Sequence, residues 1–179
     1  MTNRTKLAKE PANALIAGPY GHPFHPILVT VPIGAWVCSL VLDIASWFVA
    51  QPAPLAQASQ WLIGIGVVGA VAAAVIGMVD ASTIPGKTPA YRVALVHMAL
   101  NLAAIAVYIG NFVWRHADSQ TTAVPVRFVL LSLVAFAAVS AAGYLGGKLA
   151  YHYGVRVARE EDQADGFRGA SRPESADQN

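Results

Sequence analysis

The sequence predicts an all-α, polytopic membrane protein: a four-helix transmembrane bundle that crosses the bilayer up and down, with both termini cytoplasmic. Three observations carry that expectation. Hydrophobic residues make up 55% of the 179 positions against 12% charged, where soluble domains carry about twice that charge. Four apolar stretches are each long enough to cross hydrocarbon, and Lys and Arg gather at alternate ends of them. Between Pro26 and Val155 the only Asp, Glu, Lys and Arg residues are Asp43, Asp80, Lys87, Arg92, Arg115, Asp118, Arg127 and Lys148, so the bilayer is the solvent to reason with.

The chain divides into a cytoplasmic leader with a His-Pro segment (1–26), a transmembrane domain (27–155) and a polar tail (156–179). A hydrocarbon core of about 30 Å needs about 20 apolar residues in a helix. Stretches 27–50, 59–80, 90–113 and 126–151 meet that length. A Pro-rich turn at 51–58, a Pro/Gly/Thr turn at 81–89 and a polar loop at 114–125 separate them. Each connection is short, so consecutive helices are expected to be antiparallel neighbours. The first stretch exceeds the 7–15 residues or so of a signal-peptide core and follows a polar leader, so it is read as a retained span. The tail has almost no large apolar side chain to offset its ordering entropy and is expected to be disordered.

Orientation follows from the basic residues near helix ends. Arg4, Lys6 and Lys9 lie in the leader, Lys87 and Arg92 at the second turn, and Lys148, Arg156, Arg159, Arg168 and Arg172 at the end of the fourth span and in the tail; the first connection has none and the third only Arg115 and Arg127. Both termini are therefore expected on the cytoplasmic side. Trp47, Trp61 and Trp114 then fall at the outer interface, and Tyr20, Tyr91, Tyr151 and Tyr153 at the inner one; Trp36 falls in mid-membrane as a core aromatic. A net charge of +2 gives no argument for nucleic acid. The lone cysteine, Cys38, excludes an intrachain disulfide and reads as a small packing residue.

Close backbone approach drives helix packing in lipid, so Gly69, Ala73 and Gly77 on the second span and Gly143 and Gly147 on the fourth are candidate contact faces. Ionisable groups within a membrane are costly and are functional hypotheses by default. His22 and His25 precede the first span, Asp80 closes the second, His97 lies about two turns into the third, and His152 ends the fourth, all toward the inner interface. At about 100° per residue, His97, Asn101, Tyr108 and Asn111 form one stripe that must face the bundle, because lipid would leave them unpaired. Asp80 extends the Gly69–Ala73–Gly77 face, while His152 projects away from the Gly143 face. Asp43, near the outer end of the first span, is expected to pair with Tyr108 or Asn111, with proton relay as the alternative.

Three chemistries suit such a cluster. Haem b in a bundle is held by two neutral imidazoles from facing helices, with His25 and His97 preferred as ligands and His152 in reserve. A non-haem metal would draw on His22, His25, His97, His152 and Asp80. Without a cofactor the same groups would satisfy one another, as His97 with Asp80 or Asn101. No Ser-His-Asp pattern, phosphate loop, Cys-x-x-Cys or Cys-x-x-Cys-His motif is present.

The run GHPFHPILVTVPIG followed by Asp43, then GMVDASTIPGKTPAYRVALVHMALN, then GYLGGKLAYHYGVRV, resembles the bacterial membrane family known as domain of unknown function 2231. The resemblance covers roughly residues 22–157. It departs at Ala150 and Arg156, where a β-branched residue and a glycine are the family pattern. Members that join a similar four-helix unit to a Rieske or cytochrome-like domain imply membrane electron transfer with a redox protein partner. Three functions follow as expectations: a haem b-binding electron-transfer subunit, a cofactor-free scaffold or assembly partner, and a metal- or proton-handling transporter that would need a homodimer.

Overall fold

The computed structural model describes residues 8–12, 17–118 and 122–167. Arg4, Lys6, Arg168 and Arg172 lie outside the described residues, as do 168–179 of the expected disordered tail. The described residues form helices, turns and a single isolated bridge between Ala17 and Pro23.

The first span has two parts, α1 (Phe24–Leu28) and α2 (Thr30–Ala45). Pro32 has no N–H to give to Leu28, so the helix is interrupted at Val29. Thr30 Oγ1 donates to Ile27 O at 2.7 Å and Val29 N to His25 O at 3.1 Å, which carries the chain across the break. The short α1 thereby seats His25 against the bundle rather than ahead of it. Three long helices follow, α3 (Ala53–Ala81), α4 (Pro89–Ala117) and α5 (Val126–Gly147). Pro54 and Pro89 stand in the first turns of α3 and α4, where a missing N–H costs nothing. Thr88 caps α4 by accepting from Tyr91 N at 3.1 Å.

Helix α5 passes into a π-type turn at Lys148–His152, with Tyr153 N bonded to Lys148 O at 3.1 Å. Gly154 at φ 69° then stops it, and Val155 N closes on Leu149 O at 2.9 Å. Arg156 follows at φ 57°. Its N–H bonds Ala8 O at 2.9 Å, which ties the segment after the fourth span to residues ahead of the first. A short helix α6 (Glu160–Gly166) lies beyond. Lys9 Nζ donates to Glu160 Oε1 at 2.7 Å, and this bond holds the Glu160 carboxyl below its usual range.

Neighbours pack in chain order: span one on span two, span three on span four, with α3 against α4 between the pairs and α2 against α5 more lightly. All four spans are long and apolar enough to cross a membrane. Only 22% of the most apolar windows of α3 and α4 is buried inside the protein, so most of their apolar surface has only hydrocarbon to face. Cys38, expected as a packing residue, is on that outward surface.

The contact faces differ from expectation in one helix. A β-carbon at Gly69 would lie 2.8 Å from Val31 and one at Gly77 2.8 Å from His25 Nδ1, so the α3 stripe is indeed where span one rests. On α5 the close approach is at Gly146, where a β-carbon would meet His97 Cε1 at 3.1 Å; Gly143 meets nothing and Gly147 only Tyr151. Gly143 and Gly147 line open space instead of a helix contact.

Candidate functional site

Polar side chains occupy the bundle at two levels, separated by an aromatic layer. At the end of the bundle where span one begins and span four finishes lies a cavity of about 440 Å³ reached by residues of all four spans, among them His25, Asp80, His97 and Asn101, and by Arg156. Its walls are mostly Ala, Gly, Val, Ile, Leu, Met and Pro. The volume falls in the range of small-molecule and cofactor sites.

His25 Nδ1 lies 2.8 Å from Ala73 O on α3, and His97 Nδ1 lies 2.7 Å from Ala142 O on α5. A carbonyl oxygen only accepts, so both Nδ1 atoms carry the hydrogen, and in the neutral form of either ring the lone pair is on Nε2. Glycine makes the anchoring possible: Gly77 and Gly146 stand where a β-carbon would crowd each ring. The two ring centres are 6.3 Å apart with planes at 77°. Asn101 Nδ2 donates to His97 Nε2 at 3.2 Å and to His97 O at 2.9 Å. No donor among the described residues reaches His25 Nε2.

Asp80 does not meet His97. Its Oδ1 is 2.9 Å from Arg156 Nε, with side chains 12% and 6% exposed. Arg156 therefore belongs to the bundle rather than to the tail. His152 is exposed on the outside, edge-on to Tyr153 at 4.7 Å, and is not part of the cavity wall. This corrects its place as a reserve ligand: the π-type turn advances by an extra residue and turns His152 outward. His22 is half-buried in the turn before α1 and does not line the cavity. Among the described residues no three His, Cys, Asp or Glu side chains form a group that could hold a metal ion. The expected metal set of His22, His25, His97 and Asp80 is thus not assembled there.

The second level lies beyond Trp36, which stacks on Tyr108 with centres 4.0 Å apart. Here Asp43 is fully buried and pairs with Arg115 through two bonds, Oδ1–Nη1 at 2.7 Å and Oδ2–Nη2 at 2.5 Å. Ser59 Oγ donates to Asp43 Oδ1 at 2.5 Å, Arg115 Nε to Asn111 Oδ1 at 2.8 Å, and Asn111 Nδ2 to Ser132 Oγ at 2.9 Å. Tyr108 Oη donates to Ser132 O at 3.3 Å. Each span contributes to this network. Neither Tyr108 nor Asn111 is the partner of Asp43, as the sequence suggested, because Arg115 offers a planar fork that neither can match.

Sequence reasoning missed Arg115 by assigning it to a loop; α4 continues to Ala117 and carries it inward. Two signals were available. Arg115 follows Asn111 by one helical turn, and it lies at the same end of the bundle as the lone carboxylate Asp43.

A family described as predicted membrane protein (DUF2231) matches residues 21–159, a range that contains every residue of the cavity wall and of the buried network. The chain belongs to the DUF2231 family. No curated protein and no solved structure matches it significantly. What DUF2231 membership gives is therefore a predicted membrane protein of unassigned activity, and the chemistry has to be argued from the cavity.

Proposed function

We propose that the chain is a membrane electron-transfer subunit that holds haem b between His25 and His97. The observation that carries this reading is the imidazole pair. The rings come from different spans, are fixed by backbone carbonyls in the Nε2 lone-pair tautomer, and have centres 6.3 Å apart. Two imidazoles on opposite sides of one iron have centres roughly 6 Å apart, given a metal–nitrogen bond of about 2 Å on each side and the ring radius. The Nδ1–H bonds to carbonyls also make the rings stronger ligands. The apolar walls, from Pro32 and Ile33 to Leu102 and Ile105, suit a macrocycle. When bound, the group supplies one-electron transfer; the protein supplies ligands, orientation and low dielectric.

In this reading the histidine end faces the cytoplasm of a bacterial inner membrane, an orientation that the Lys and Arg bias supports. A redox protein would then meet the haem from that side.

The visible spectrum tests the reading. Protein purified in detergent after expression with ample haem shows a Soret band with sharp reduced α and β bands at one haem per chain. Colourless protein with no response to added haem overturns the proposal and favours the cofactor-free scaffold, whose supporting observation is that His97 already has two partners in Ala142 and Asn101.

That second bond makes a further prediction. Asn101 competes with iron for His97 Nε2, so Asn101→Ala raises haem affinity by about two- to tenfold, the worth of one neutral hydrogen bond. A haem titration checks it; weaker binding in the variant contradicts the competition.

A further inference from the structure

Arg156 is an unusual residue for its position. Its backbone is left-handed, a conformation suited to glycine, yet it carries a long cation into the cavity wall. The side chain is 6% exposed and is the only Lys or Arg among the described residues that line the cavity. Its donors are poorly used. Nε faces Asp80 Oδ1 at 2.9 Å without the alignment of a hydrogen bond, and Nη1 and Nη2 reach Lys9 O and Gly21 O only at 3.5 and 3.3 Å. A buried guanidinium whose charge is balanced but whose directed bonds are weak is arranged to take a second oxyanion.

The haem reading says which one. A haem b bound by His25 and His97 carries two propionates, and charged groups leave hydrocarbon for the end of the bundle where water is nearest. Asp80, Arg156 and Ala8 meet at that end. We propose that Arg156 is a positioning residue that recognises a haem propionate, while Asp80 holds the guanidinium in place and competes for it when no ligand is bound. This inference rests on the haem reading and adds a preference for the free acid.

The experiment compares two ligands, haem and its dimethyl ester, in which both carboxylates are masked. Each is titrated into the detergent-solubilised protein and followed at the Soret band. The wild type binds the free acid at least about tenfold more tightly than the ester, a ratio within reach of one charge-assisted pair in a low-dielectric wall. Arg156→Gly brings the two affinities to within about twofold while keeping the band, because glycine suits the left-handed backbone and the axial ligands are untouched. Asp80→Asn widens the preference by removing the competing carboxylate. A band in every variant with an unchanged preference in Arg156→Gly overturns the Arg156 assignment alone. A wild type that binds neither ligand overturns it together with the haem reading.

Discussion

Replacing Arg115 with leucine costs the folded bundle about 3–5 kcal/mol, the range for breaking a buried pair by removing one partner. The change strands Asp43, which has no exposure to water, together with the Asn111 oxygen that accepted from Nε. Ser59 still donates to Asp43, but one hydroxyl does not compensate a carboxylate in a hydrophobic setting, and the acid must bind a proton or leave the core. The double variant Asp43→Leu/Arg115→Met recovers much of the loss, since it removes both charges and fills similar volume. Unfolding in a mixed-detergent titration measures both. If Arg115→Leu lies within about 1 kcal/mol of wild type, the buried pair does not hold the four spans together in the way its geometry indicates.

His25→Ala and His97→Ala each lower haem affinity by more than about a hundredfold, beyond the 10–100-fold that changes behind a ligand produce. Residual binding in either variant has the broad reduced spectrum of iron with one protein ligand. His22→Ala and His152→Ala leave the spectrum as in the wild type, because neither side chain lines the cavity. The four titrations separate ligand loss from general damage: all four remove an imidazole, and only two are expected to change the spectrum. Loss of the band in His152→Ala with retention in His25→Ala would refute the proposed pairing.

The spans were legible because hydrocarbon imposes a simple rule of about 20 apolar residues per crossing. Their ends were less so. The sequence ended the third span at Val113 because the polar stretch 114–125, with Arg115 in it, reads as a loop. Arg115 is balanced there by Asp43, 72 positions away, and that compensation is invisible to a local window. The inward stripe of His97, Asn101, Tyr108 and Asn111 was readable from helical periodicity, and all four face the bundle. Their partners were not, because a backbone carbonyl such as Ala142 O has no sequence signature. Arg156 was hidden for a different reason. Its position depends on Gly154 reversing the chain and on Ala8 receiving its N–H, a contact between opposite ends of the sequence.

The Trp36–Tyr108 stack divides the interior of the bundle. On each span the cavity wall ends at Trp36, Ala70, Ile105 and Val139, and beyond the stacked rings Asp43, Ser59, Asn111, Arg115 and Ser132 bond one another. The hollow therefore stops at the paired rings, and Trp36 with Tyr108 partitions it from the Asp43–Arg115 ion pair on the far side.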